Sequence, residues 1–381
     1  MIVCIYILGI LVICYSLLIF SIIYGCFLKS KKKKRIKPVP VSVIIAIRNG
    51  ESSLPNLIKD LSKQEYNGEI EFILVDDESE DNTKRIIKDY SINDKRFKYQ
   101  TSKEGNNELS LKKKALDAGI KIAKFEWLLF TDVDCRISPS WIDNMSNSFY
   151  NDNDYVIGNS EVHSNKSIVS IFQSIDYFLL MMSARGATNL NHAWACTGQN
   201  HAYRKSLYQK IGGFYKIRKQ LQGDDSLFLN ICKKWGDIKI TFADVRECHV
   251  KARVESQWLS LLSQRTRWAG DILIMRKYNP EFFIIMLSYF FLHLGIIALF
   301  FSTFFNKHLV GFLITILLIK FCVEFLLYIV GKVQYLKKIN FINFLIWFLI
   351  HIPYIVLMGI SSFYANNLSW RGRKIKPVTR K

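Results

Sequence analysis

Three acidic pairs and one short basic-aromatic stretch carry the chemistry available to this chain. Asp132-Val133-Asp134 closes an apolar run. Alternate residues of an extended segment point to the same side, so both carboxylates can reach one divalent ion. Oxygen ligands of this kind suit Mg²⁺ or Mn²⁺, with positions left open for a diphosphate. Asp76-Asp77 closes a second apolar run, where a carboxylate can hydrogen-bond a base or ribose. Asp224-Asp225 stands where a helix is expected to begin. Adjacent carboxylates repel, which lifts one pKa towards general-base work. Each pair also has a plainer reading: a solvated acidic loop, an acidic helix N-terminus or a helix cap. Lys112-Lys113-Lys114 opens a helix against its dipole, which is unfavourable unless an anion is near; otherwise it is a solvated charge run. Gln264-Arg265-Thr266-Arg267-Trp268 places Gln264, Arg267 and Trp268 on one helical face. That face presents an amide, a guanidinium fork and a flat ring to a phosphorylated, sugar-bearing ligand.

The elements that must hold these residues follow from hydrophobic patterning. Val41–Ile47, Ile70–Val75 and Trp127–Thr131 are continuous apolar runs, as expected of strands buried on both faces. Helices are expected from Ser52 or Ser53, from near Asp81 and over Ser110–Lys124. Alternating strands and helices predict an open α/β sheet, in which ligands sit beyond the C-terminal strand ends. Asp76-Asp77 and Asp132/Asp134 both fall there, and that coincidence weighs more than either cluster alone. Further on, Asp154–Asn159 and Trp194–Lys205 are expected as strands, with Ser167–Met182 a helix. A helix opens at Gly223-Asp224-Asp225, short strands cover Ile238–Phe242 and Cys248–Val254, and an amphipathic helix covers Gln257–Lys277.

The two ends of the chain are greasy. Ile2–Leu28 is long enough to span a bilayer, lacks a cleavage site and is followed by Lys31-Lys32-Lys33-Lys34-Arg35, so it reads as an uncleaved anchor. The positive-inside rule then places the middle domain in the cytoplasm. Phe282–Phe305, Leu309–Val330 and Phe341–Tyr364 are three further runs of spanning length. If all three cross, the basic tail from Arg371 ends outside, against the same rule, so one of them is re-entrant or interfacial. Lys320 and Glu324 inside the second run form either a self-neutralising pair or a helix–helix contact. The net charge of +20 among 381 residues fits an anionic membrane leaflet; no nucleic-acid-binding signature accompanies it. Eight scattered cysteines form neither a zinc pattern nor a disulfide framework. No Ser or Cys nucleophile arrangement, Walker loop or dinucleotide fingerprint is present.

Taken together, these motifs resemble the membrane-bound inverting glycosyltransferases of family 2, which include ceramide glucosyltransferase and the processive polysaccharide synthases. The resemblance covers about residues 39 to 278 and extends loosely to Trp370-Arg371-Gly372-Arg373. It implies a GT-A domain, the Rossmann-like open sheet of nucleotide-diphospho-sugar transferases, between an N-terminal transmembrane helix and C-terminal ones. The expected organisation is an anchor over 1–28, a basic linker over 29–40, a cytosolic catalytic domain over 41–255, an interface helix over 256–280, membrane segments over 281–366 and a basic tail over 367–381. By residue, the resemblance implies a base-binding turn over Val43–Glu51, uridine contact at Asp77 or Asp76, diphosphate contact at Lys112, and donor and metal contact at Asp132 and Asp134. It implies acceptor contact at Gly198 and Asn200, a general base at Asp225 beside Asp224, and Gln264, Arg267 and Trp268 closing over diphosphate and acceptor sugar. The expected activity is transfer from a nucleotide sugar, UDP-linked, to a membrane lipid with Mg²⁺ or Mn²⁺, at the cell membrane. Polymer synthesis, with partner subunits supplying a channel, is the alternative. A non-catalytic scaffold of the same fold is opposed by the intact acidic motifs.

Overall fold

The computed structural model describes residues 2–28, 37–150, 152–220, 222–367, 369–370 and 373–374. Most of the basic linker and most of the basic tail therefore lie outside the described residues. In chain order the first elements are α1 (Ile2–Phe27), β1 (Val41–Ile47), α2 (Leu54–Ser62), β2 (Ile70–Asp76), α3 (Thr83–Asn93), β3 (Phe97–Thr101), α4 (Leu111–Ile122) and β4 (Trp127–Phe130). Then come α5 (Trp141–Ser146), β5 (Tyr155–Gly158), β6 (Ser160–Val162), α6 (Ile168–Asn189), β7 (His201–Arg204), α7 (Lys205–Ile211), α8 (Ser226–Trp235), β8 (Ile240–Ala243) and β9 (Val250–Ala252). The chain continues with α9 (Trp258–Tyr278), α10 (Pro280–Ser302), α11 (Leu309–Gln334) and α12 (Phe341–Ser361). They divide into a sheet unit (Ser30–His163, Ala193–Arg253, Asn367–Lys381) and a helical unit (Met1–Lys29, Ser164–His192, Val254–Asn366).

The sheet unit is built on seven strands in the order β3-β2-β1-β4-β7-β5-β8. β3, β2, β1 and β4 run parallel, which brings Asp76 level with Ile47 and with Thr101. β7 runs antiparallel to β4, with Phe130 opposite His201. The loop entering β7 therefore meets the loop leaving β4, which is how residues 198–200 come to stand beside Asp132 although nearly 70 positions separate them in sequence. The buried runs of β1, β2 and β4 follow from cover on both faces. Val43, Ile45 and Ile47 pack with Leu57, Leu61 and Trp141 of α2 and α5. On the opposite face, Gly119 of α4 sits against Ile44 and Val75.

Two expectations are corrected. Of the strand expected over Trp194–Lys205 only His201–Arg204 pairs, so Thr197-Gly198-Gln199-Asn200 is loop. Residues Phe97–Thr101 form an edge strand that patterning did not show: only Phe97 among them is buried, so no apolar run marks it.

Four helices of the helical unit, α1, α10, α11 and the segment Phe341–Ala365, are long and apolar enough to cross a membrane. Gly25 of α1 and Gly186 of α6 meet backbone to backbone; a Cβ on either would overlap a carbonyl oxygen of the other helix. The last carbonyls of α1 need donors from elsewhere. Asn189 donates to the carbonyls of Gly25 and Leu28 (3.0 and 3.1 Å), and Arg185 to that of Cys26 (3.1 Å). Lys320 and Glu324 do pair, at 2.7 Å to both carboxylate oxygens, and Tyr15 of α1 donates to the same carboxylate at 2.6 Å. The charge is thus neutralised within α11 and used as a contact between helices.

Gly119 generates a prediction, because α4 carries Lys112 at its start. A Cβ there would lie 2.6 Å from an Ile44 methyl. Gly119→Val should cost on the order of 1–3 kcal/mol through overpacking. It should also shift the first turn of α4 and with it Lys112; a thermal melt reads the stability cost.

Candidate active site

The site is assembled at the C-terminal edge of the sheet. Beyond β4, Val133 is buried, while Asp132 and Asp134 on either side of it stay partly open. The three lysines of α4 go three ways, as successive helical residues must. Lys112 reaches into the site: its Nζ lies 2.9 Å from Asp132 Oδ1 and 2.9 Å from Asp224 Oδ2. Lys113 is buried and donates to the carbonyls of Gln220 and Gln222, tying α4 to the loop that leads to Asp224. Lys114 turns outward to Asn107. The solvated-run reading therefore holds for Lys114 alone. Leu111, just before Lys112, is held at φ 54°, a left-handed conformation uncommon for such a residue.

Gly223 supplies the turn before the second acidic pair at φ 102°, which side-chain-bearing residues rarely adopt. Asp225 then caps α8. One of its carboxylate oxygens accepts from the Ser226 amide at 2.5 Å, the other from the Gly198 amide at 3.0 Å. A Cβ at position 198 would lie 3.0 Å from Lys112 Nζ and 3.4 Å from Asp225 Oδ2, so glycine allows the close approach. The two acids are driven apart. Burial and the neighbouring Asp224 charge push Asp225 up to about 6. Burial works against Asp224 as well, but the Lys112 ammonium, helped by Lys113 and His201, holds its carboxyl below the usual range. The two carboxylates in turn hold Lys112 well above an ordinary lysine despite its burial.

Asp76 and Asp77 end β2, and both are buried. Burial raises the Asp77 carboxyl against the pull of Arg373 and Arg48. Asp77 Oδ2 is buried and accepts no hydrogen bond among the described residues. Two arginines organise this corner, both from stretches that the resemblance covers without giving either residue a role. Arg48 donates to the carbonyls of Asp77 and Glu78 and pairs with Glu80 at 2.8 Å. Arg373 donates to the Asp77 carbonyl (3.1 Å) and to Glu78 (2.7 Å). The expected base-binding turn is itself locked to the β2 loop: the amides of Asn49, Gly50 and Glu51 donate to Ser79, Thr83 and Asp81.

Asn200, expected at the acceptor, is fully buried. Its amide donates to the carbonyls of Asn159 and Cys248 and accepts from the Trp141 indole. It shapes the Gly198 loop from beneath. His201 helps by binding the Thr197 carbonyl at 2.8 Å.

Gln264, Arg267 and Trp268 belong to the helical unit and are half-buried on α9. Gln264 donates to Glu255 at 3.5 Å. Arg267 donates to the Ser263 hydroxyl at 3.4 Å, its Nε has no hydrogen-bond partner among the described residues, and burial pulls its guanidinium below the usual arginine range against Glu255. Arg265, between them, is the deeply buried member of the stretch.

Asp132 and Asp134 fit a divalent ion held partly by substrate. Among the described residues no group of three or more acids, histidines or cysteines could hold a metal alone. Two carboxylates plus donor phosphates are a usual Mg²⁺ or Mn²⁺ environment.

Comparison with known proteins identifies the domain. The family described as Glycosyl transferase family 2 matches residues 42–212, a stretch that ends short of Asp224. The chain is 26% identical over 365 residues to the probable glycosyltransferase YdaM of Bacillus subtilis, covering 87% of this chain and 84% of that one. It is 24% identical to a poly-beta-1,6-N-acetyl-D-glucosamine synthase of Staphylococcus epidermidis, over 68% of this chain and 63% of the relative. The fold is similar to that of the mannosyltransferase PcManGT from Pyrobaculum calidifontis, solved with GDP-Man and Mn²⁺ (TM-score 0.58, 16% identity, 95% of this chain and 99% of that one). A GT-A-like open sheet, an acidic edge crossed by one lysine and these relatives agree: the chain carries a glycosyl transferase family 2 domain, and it is a glycosyltransferase.

Proposed function

We propose that the chain is an inverting transferase that moves one sugar from a UDP-sugar to a hydroxyl of a membrane lipid, with Asp225 as general base. The observation that carries this reading is the division of labour between two adjacent acids. Asp224 is committed to Lys112, while Asp225 is left near the pH at which a base works best. The Asp225 carboxylate takes the acceptor hydroxyl proton as that oxygen attacks the anomeric carbon and the bond to the diphosphate breaks. A single displacement inverts configuration and needs no protein nucleophile.

Lys112 and Arg267 meet the charge that develops on the departing diphosphate. Asp132 and Asp134 would hold a divalent cation, which supplies further neutralisation of that diphosphate when bound. Asp77, with a buried unbonded oxygen, suits the N–H edge of the donor base, with Asp76 shaping the turn beside it. Gly198 lines the acceptor side, and Gln264 and Trp268 contact the acceptor head group. The lipid acceptor is supported by α9, which runs directly into α10 and shares a unit with the apolar helices. The cell membrane with a cytoplasmic catalytic domain is favoured by the basic residues that follow α1.

A second reading, a processive polysaccharide synthase, is favoured by similarity to the staphylococcal poly-N-acetylglucosamine enzyme.

Membranes containing the protein, given a panel of UDP-sugars and a total lipid extract, should release UDP and yield one glycosylated lipid by mass spectrometry. A polymer ladder on a gel would instead establish the second reading. Asp225→Asn should lower kcat by at least about a hundredfold while nucleotide binding persists. Because the base must be ionised, wild-type kcat/KM should climb as pH rises through about 6 and then level off; a rate that falls over that range removes Asp225 as the base. Chelation should abolish transfer, and either Mn²⁺ or Mg²⁺ should restore it; full activity after exhaustive chelation would exclude the metal role.

A further inference from the structure

The buried arginine of the Gln264–Trp268 stretch, Arg265, has no place in the mechanism above, yet it is almost fully enclosed. Arg265 and Asp176 face each other across α9 and α6, Nη2 to Oδ2 at 3.2 Å, with side chains 3% and 6% exposed. The guanidinium lies over the Trp268 ring at 4.2 Å and near the Tyr177 ring at 5.6 Å. None of its nitrogens donates a hydrogen bond among the described residues. It is therefore held by one charge and two ring faces, and the ring it steadies most closely is that of Trp268. Asp176 is held in turn: its other oxygen is 3.9 Å from His351 Nε2 on α12, which is 3.4 Å from the Tyr289 hydroxyl on α10. The next residue, Thr266, is tied to Ser361 at 3.1 Å.

A buried ion pair is weak evidence of stabilisation, because apolar residues of similar volume often serve stability as well or better. A guanidinium also does what an ammonium cannot: its plane stacks on an aromatic face and fixes the angle of that ring. We propose that Arg265 and Asp176 are a positioning pair that sets the orientation of Trp268, and with it the acceptor affinity of the enzyme. Neither residue touches substrate. The proposal rests on the reading that Gln264 and Trp268 meet the acceptor.

The test uses full-length protein in mixed micelles, with the UDP-sugar that supports transfer and a total lipid extract as acceptor. Melting temperature and the two apparent KM values are measured for each variant. Asp176→Asn should lower the melting temperature and activity together. The double variant Arg265→Met/Asp176→Leu should recover the melting temperature. Its KM for the lipid extract should stay raised by roughly tenfold or more, with donor KM unchanged. Arg265→Lys, which keeps the charge and loses the stacking plane, should raise lipid KM likewise. Wild-type lipid KM in the refolded double variant overturns the proposal. If that variant does not fold, wild-type lipid KM in Arg265→Lys overturns it instead. Trp268→Ala separates the two levels: if it leaves lipid KM unchanged, the acceptor reading of α9 fails. If it raises lipid KM while the pair variants do not, the positioning role alone fails.

Discussion

The ammonium of Lys112 is the interaction on which the rest of the site depends. It stands between a carboxylate from the β4 loop and one from the start of α8, two segments that belong to different parts of the chain. Left alone, Asp132 and Asp224 would repel and the edge of the sheet would spread. With the lysine between them, a strand end, a helix start and the first turn of α4 become one charge-balanced cluster. Other features read as support for that placement. Gly119 lets α4 lie close on the sheet, Lys113 binds the loop approaching Asp224, and Gly198 leaves room for Lys112 Nζ. Incoming donor phosphates and a cation would exchange with this internal pairing, since the site already neutralises itself.

Legibility in the sequence followed burial. β1 and β2 could be bounded to within a residue because both of their faces are covered, which leaves an uninterrupted apolar run. The acidic pairs were visible because they end such runs or open a helix. What lay hidden was anything defined by a distant partner. Asn200 looked like an acceptor contact, yet its amide serves two carbonyls and an indole from three other segments. Lys113 looked like one more solvated lysine, although it is as buried as the core. Arg48 and Arg373 lie in stretches the resemblance covers, yet only the folded chain shows both gripping the Asp77 turn. The edge strand β3 escaped because an edge needs little apolar patterning.

The helical unit shows a second way of spending charge. The Lys320–Glu324 pair lies within one helix, but Tyr15 donates to it from α1, and Asp176 pairs with Arg265 across α6 and α9. In an apolar surrounding such contacts specify which helix meets which, where apolar surfaces alone would accept several arrangements. Trp268 on α9 thus packs against a buried charge pair that joins α9 to α6.

The glycine crossing of α1 and α6 bears on the order in which the chain is built. Asn189, which caps α1 through the Gly25 carbonyl, lies 164 residues downstream of it. α1 precedes β1 to β5 and α6 in the chain, so its last carbonyls lack these protein donors until α6 has been synthesised. The contacts that complete the end of α1 therefore wait until α6 has been made, after β1 to β5.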